Sequence, residues 1–169
     1  MCKNGCLNLV KHGIRFLEST HKYASNLENT KFMVHLPNKS IEETKSFLNA
    51  IDEEWKKENP SFFEFAILLD GKHIGAVSIY LNDEKNIGEL GWILDKEYWG
   101  YGYAYEAAML LVSFSKEQLN VSHFVAHCDS ENIASYKVME KLGMKLACVN
   151  ENRKNRASQE LRREFQYEM

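Results

Sequence analysis

Glu89-Leu90-Gly91-Trp92-Ile93-Leu94, followed by Trp99-Gly100-Tyr101-Gly102-Tyr103-Ala104 and then Tyr105-Glu106-Ala107-Ala108, is the stretch from which the rest of the chain can be read. It predicts a strand that feeds a glycine-containing turn and opens a helix. After the turn, apolar residues recur at Tyr103, Ala107, Leu110, Leu111 and Phe114, which is helical spacing. The backbone N–H groups of Gly100 to Ala104 are therefore predicted at a helix N-terminus. Such a terminus favours anions, and glycine lets the backbone approach a phosphate with no Cβ in the way. Two phosphate motifs fail here. No Lys-Ser/Thr follows the glycines as a Walker loop requires, and Tyr105 stands where a dinucleotide fingerprint needs its third glycine.

The turn resembles the pyrophosphate loop of the GNAT superfamily of N-acetyltransferases, Gln/Arg-x-x-Gly-x-Gly/Ala, with Trp99 first, Gly102 fourth and Ala104 sixth. Within that superfamily, the run from Glu89 through Tyr-Trp-Gly-Tyr-Gly-Tyr-Ala to Ala108 is similar to the branch that acetylates ribosomal-protein N-termini and related amines. The resemblance extends from Phe62 to Met144 and is thin before Ser40. A strand-turn-helix whose glycines serve only tight packing is the plainer alternative for the turn alone.

A chain of 169 residues with net charge −3 and pI near 6.1 suits one domain spanning residues 1–169. It lacks the basic stripe of a nucleic-acid footprint. The cations Arg153, Lys154, Arg156, Arg162 and Arg163 are interleaved with Glu151, Glu160 and Glu164, which reads as a solvated surface. Cys2, Cys6, Cys128 and Cys148 fit no zinc spacing, so free thiols and no metal are expected, with Cys128 and Cys148 packed in the core. No leader-like segment and no membrane-length apolar run are apparent, which predicts a cytoplasmic protein.

Taken in order, Leu7, Leu9 and Val10 form a short apolar patch where the resembled family has a longer first strand. Residues 11–29 suggest a helix through Ile14, Leu17, Tyr23, Ala24 and Leu27. His35 lies in an apolar stretch ended by Pro37 and is read as packed or substrate-facing. Ser40 and Glu43 form a capping box opening a helix over 41–57, with Ile41, Phe47, Leu48, Ile51 and Trp55 as its buried stripe. Glu42, Glu43, Asp52, Glu53 and Glu54 on this segment could draw a cationic amine, or form a solvated acidic face. Strands are predicted over 62–69, 73–81 and 87–94, with a hairpin turn at Asp70-Gly71. A helix over 100–118 and a strand over 121–128 follow; the crossover makes that strand parallel to 87–94. A further helix runs from Asn132 to a stop at Gly143, before strands over 145–150 and 160–167. The expectation is an α/β (α+β) GNAT fold: a mixed, mostly antiparallel sheet of six to seven strands flanked by helices. The resemblance adds that the fourth and fifth strands splay to admit the cofactor.

Acetyl transfer from a thioester to an amine needs a pyrophosphate cradle, a base for the amine and stabilisation of a tetrahedral intermediate. The resemblance implies acetyl-CoA as co-substrate, held by Trp99, Gly100, Tyr101, Gly102, Tyr103 and Ala104 at the pyrophosphate. It implies Trp92, Ile93 and Leu94 along the pantetheine arm, one of them presenting a donor to the thioester oxygen. Alternation puts Glu89 on the strand face of Ile87, Gly91 and Ile93, where partial burial would raise its pKa toward neutrality and suit a base; a structural carboxylate is the alternative. Asn132-Ile133-Ala134-Ser135, with Glu140, Lys141 and Gly143 downstream, matches the second cofactor signature. It implies Asn132 on the pantetheine arm, or as a helix N-cap, and Ser135 as proton donor to the thiolate. Met139 occupies the position where many members have a catalytic Tyr, and Tyr136 is the nearest substitute. The reading is an N-acetyltransferase acting on a primary amine such as a protein or peptide N-terminus, in a family that is often dimeric. Small-molecule amine acetylation and a non-catalytic CoA-binding regulatory module are the alternatives.

Overall fold

Strands β1 (Leu7–Lys11), β2 (Phe62–Leu69), β3 (Lys72–Leu81), β4 (Ile87–Leu94), β5 (His123–Asp129), β6 (Lys145–Lys154) and β7 (Leu161–Glu168) build one sheet, in the order β1-β2-β3-β4-β5-β7-β6. The computed structural model describes residues 6–169, so Cys2 lies outside the described residues. Every neighbouring pair is antiparallel except β4 and β5, which are parallel. This is the mixed α/β sheet expected, with seven strands. Helices α1 (Leu17–Ala24), α2 (Leu27–Thr30), α3 (Ile41–Glu54), α4 (Tyr103–Gln118) and α5 (Ile133–Lys141) flank it.

The two-residue period of the strands divides the sheet into two faces. Ile67, Val77, Ile79, Leu90, Phe124, Ala126 and Cys128 join Ala107 and Leu111 of α4 and Met139 of α5 in one buried cluster. Met139 thus belongs to the core. On β4 the same alternation buries Gly88 and Leu90 and exposes Ile87 and Glu89, leaving the glutamate on the other face. Gly143, at φ +89, ends α5 in the left-handed conformation that predicted its role as the helix stop.

The N-terminal third departs from the sequence expectation. The apolar patch is a complete edge strand, β1, paired with β2 from Leu7↔Leu69 to Lys11↔Phe65. The single helix predicted over 11–29 is broken into a 3₁₀ turn (Ile14–Phe16), α1 and α2. The break follows from Asn26, whose side chain accepts from the Glu28 and Asn29 N–H groups and so starts a new helix. In α3, Ser40 accepts from the Glu43 N–H as predicted, but the Glu43 carboxylate bonds the Lys39 N–H. Thr44, Leu48, Ile51 and Glu54 form its buried side, and Phe47 is exposed. The carboxylates of this helix have structural partners: Asp52 accepts from the Ile14 N–H, Glu54 from Ser61 and Lys57, and Glu53 from Lys56. Cys148, expected in the core, is exposed on the edge strand β6, whereas Cys128 is buried. Cys6, Cys128 and Cys148 are free thiols.

Between α1 and the sheet lies a buried polar cluster. His12 Nε2 lies 3.0 Å from Thr20 Oγ1, and His73 sits between Ser19 Oγ, 2.6 Å from Nδ1, and the Gly75 carbonyl, 2.8 Å from Nε2. A carbonyl only accepts, so Nε2 carries the proton, while Nδ1 faces a Ser19 hydroxyl whose single proton also has the Phe16 carbonyl within reach at 3.1 Å. Burial, with His12 nearby, lowers the His73 pKa to about 4. The folded protein therefore excludes a proton that the unfolded chain takes up below about 6.5. His73 contributes full stability above that value, and the contribution is lost as pH falls toward 4. Denaturation midpoints of the wild type are expected to drop more steeply over this window than those of His73→Gln; equal slopes would contradict the assignment.

Candidate active site

The parallel pairing of β4 and β5 runs only from Ile87↔His123 to Leu90↔Ala126. Beyond it β4 continues against β3, ending at Gly75↔Leu94, and β5 continues against β7. The two strands part, and a wedge opens between Gly91–Leu94 and His127–Asp129, as the resemblance implied. The Asp95 N–H donates to the Ile74 carbonyl on β3 at 2.8 Å. Since backbone groups alternate in direction along a strand, Ile93 also faces β3, while Trp92 and Leu94 face the wedge. The Leu94 carbonyl is itself engaged, accepting from Trp99 Nε1 at 3.0 Å and from Asn29 Nδ2. Of the predicted set Trp92, Ile93 and Leu94, the backbone groups of Trp92 and the N–H of Leu94 are the ones that face the wedge.

At the mouth of the wedge, α4 begins at Tyr103, three residues later than predicted, and Gly100 to Gly102 form the turn before it. The first intrahelical bond runs from the Glu106 N–H to the Gly102 carbonyl at 3.1 Å, and no side chain caps this end. Gly100 and Gly102 adopt φ +84 and +89, and a Cβ added at either would meet no atom within 4 Å. Their role is conformational: a tight left-handed path that leaves open space over an uncapped helix terminus, which fits a phosphate group. The Trp99 indole pins this turn to the end of β4, and Tyr101 stacks on Tyr103 with ring centroids 5.7 Å apart. Gly102→Ala is expected to cost roughly 1–2 kcal/mol through left-handed strain and to weaken acetyl-CoA binding. Gly71, with φ +82 and equally open surroundings on a distant hairpin, supplies the control: Gly71→Ala should lose comparable stability and keep its affinity in calorimetry.

Glu89 stands on the open face of β4 at the point where the strands part, with its side chain 55% exposed. His127 Nδ1 on β5 lies 3.0 Å from Glu89 Oε1. Sequence reasoning missed this histidine. It shares the polar face of β5 with His123, but its pairing with Glu89 depends on a register that no local pattern reveals. The expectation that burial raises the Glu89 pKa is overturned: the hydrogen bond to His127 outweighs desolvation and lowers it, while the same bond raises His127. His35, exposed in the segment between α2 and α3, also lowers Glu89 by its charge, so it faces the site.

On the other side of the wedge, Asn132 caps α5 by accepting from the Ser135 N–H at 3.2 Å. The Ser135 hydroxyl lies by the Cys128 thiol, and burial pushes that thiol up to about 11, so it is not a thiolate nucleophile. Tyr136 packs edge-on against Phe165, ring centroids 5.8 Å apart, as a packing residue of α5. The segment between β6 and β7 closes over the N-terminal helices. Arg153 pairs with Glu164 and donates to the Phe32 carbonyl, and Arg156 pairs with Glu43 at 3.1 Å and donates to the His35 carbonyl. These arginines are clamps between two walls of the site. A separate groove of about 530 Å³, by Ser130, Glu131 and the segment 160–163, contains none of the predicted site residues.

The model of the acetyltransferase (GNAT) domain matches residues 9–145, and the chain belongs to that family. YnaD, an uncharacterized N-acetyltransferase of Bacillus subtilis (strain 168), is 31% identical over 106 residues. That match covers 62% of this chain and 59% of YnaD, less than two thirds of the relative's length. In structure the chain is similar to RimL, the ribosomal L7/L12 alpha-N-protein acetyltransferase in complex with coenzyme A, with TM-score 0.83 and 16% identity over 96% of this chain and 93% of the other. It is equally similar to a spermidine N-acetyltransferase from Vibrio cholerae in complex with CoA and spermine, with TM-score 0.83 and 16% identity over 96% and 94% of the two chains. Among the described residues no helix is long and apolar enough to cross a membrane.

Proposed function

We propose that this chain transfers an acetyl group from acetyl-CoA to the primary amine of a cationic acceptor. The observation that carries the reading is the uncapped α4 terminus opening onto the β4–β5 wedge, with Glu89 on one wall and Ser135 on the other. Acetyl-CoA supplies the activated acetyl group as a thioester. The backbone of Gly100, Tyr101, Gly102, Tyr103 and Ala104 would hold its pyrophosphate, Trp92 and Leu94 would pair with the pantetheine amides, and Asn132 and Ser135 would border that arm. Glu89 would receive the proton that an ammonium loses, and the Ser135 Oγ–H would donate one to the departing sulfur. General acid–base groups contribute about 10² to 10⁴-fold. Ser135→Ala is accordingly expected to slow turnover within that range while leaving acetyl-CoA affinity nearly unchanged, and an unchanged turnover number would remove it from the chemistry.

A peptide N-terminus is favoured from sequence because Arg153, Lys154 and Arg156 would repel a polycation. In the structure Arg153 and Arg156 are ion-paired, which weakens their share of this repulsion. The open face carries Glu89, Glu164 and Glu168, with Glu168 3.4 Å from His123. A polyamine therefore fits as well as a peptide or amino-acid amine, and the solved structures that resemble the chain include enzymes named for each. Thiol release from acetyl-CoA across N-terminal peptides, amino acids, polyamines and aminoglycosides is expected to favour cationic acceptors. Turnover confined to neutral or anionic amines would contradict the reading, and acetyl-CoA binding without turnover of any of them would indicate a regulatory module.

A further inference from the structure

The open face of the sheet carries a row of polar side chains that the acetyl-transfer reading leaves unused. Glu89 on β4 bonds His127 on β5, and His127 is in register with Gln166 on β7. The Gln166 amide nitrogen donates to Glu168 Oε1 at 2.7 Å, which leaves the amide oxygen as an acceptor. The imidazole thus has a carboxylate on one side and an amide whose influence also favours its protonated form on the other. It is one-quarter exposed, behind the more open Glu89.

We propose that Glu89 and His127 act as one base, with Glu89 facing the acceptor and the proton removed from the amine coming to rest on the His127 imidazole. The N–H bond of the ammonium breaks and its electron pair stays on the amine nitrogen; Glu89 takes the proton on a carboxylate oxygen, that O–H bond breaks as an N–H bond forms at His127 Nδ1, and the imidazolium is held by the restored Glu89 carboxylate. This deepens the acetyl-transfer reading and rests on it. Matching of proton affinities favours the pair over the carboxylate alone. An α-ammonium has a pKa near 7.7–8.0, so transfer to a carboxylate held below its ordinary value is strongly uphill, whereas an imidazole held above its ordinary value by Glu89 lies much closer to the ammonium. The other groups facing the pair act in the same direction or are compensated. Tyr80 on β3, opposite Glu89, is pushed well above its ordinary range and stays neutral. Glu164 favours the His127 cation and is itself paired with Arg153. Glu168 lies near His123, and His35 approaches from the segment before α3.

The test combines a histidine NMR titration of the whole protein with pH profiles of kcat/KM at saturating acetyl-CoA. His127 in the wild type is expected to titrate above 6.5, at the pKa of the acidic limb of the rate profile. In Glu89→Gln the His127 midpoint should fall to 6.5 or below. In His127→Gln the acidic limb should move down by more than one pH unit, with a lower plateau. A His127 midpoint that ignores Glu89→Gln, or a His127→Gln profile with the wild-type limb, would overturn the shared base. Calorimetry separates this from the broader reading: normal acetyl-CoA binding with an unmoved limb sinks only the base, while absence of binding in the wild type sinks acetyl transfer and the base together.

Discussion

The site depends on the point at which β4 and β5 stop hydrogen-bonding. Through Leu90↔Ala126 the two strands share a ladder, and their inward residues pack against α4 and α5 in a continuous apolar cluster. Past that pair each strand keeps its other neighbour and loses this one. A sheet interior that abandons a ladder leaves backbone donors and acceptors to be satisfied by something else. Part of the need is met internally, since the Leu94 carbonyl is bonded by Trp99 and Asn29. The backbone groups of Trp92 and the Leu94 N–H face the gap, where the proposed reading places the amides of a pantetheine arm.

The walls around this gap are held by electrostatics that also serve the fold. Arg153 and Arg156 tie the β6–β7 segment to residues 32–35 and to Glu43, so pieces of chain 113 to 121 residues apart in sequence form one rim. At the far end of β5, Asp129 is fully buried and accepts from Arg162 and Asn155, which fixes the strand just before Asn132 caps α5. A buried carboxylate is costly unless paired in this way. Arg153, Arg156 and Arg162, which look free in the sequence, are thereby held in ion pairs.

The middle of the chain was legible because local rules and tertiary outcome agree there. The period-two run of β4, the left-handed glycines before α4, and Asn132 and Gly143 bounding α5 each act through neighbours in sequence. The start was misread for the opposite reason. Five residues of β1 become a strand only by pairing with β2, sixty residues away, and Asn26 interrupts an apolar pattern that otherwise continues as helix. Glu89 is visible in the sequence as a carboxylate inside a strand, a candidate base or a structural residue. Its low proton affinity is not, because His127 reaches it through the parallel register of β4 and β5, and the fates of Arg153 and Arg156 depend on equally distant contacts.

Amide hydrogen exchange with and without acetyl-CoA tests the central claim most directly, because it reads the wedge itself and does not depend on the acceptor. Protection is expected to rise at Trp92, Leu94 and the turn from Gly100 to Ala104, with little change along β1 and β2. Unchanged exchange at those amides in the presence of saturating acetyl-CoA, or protection confined to the groove by Glu131 and Arg162, would contradict the account.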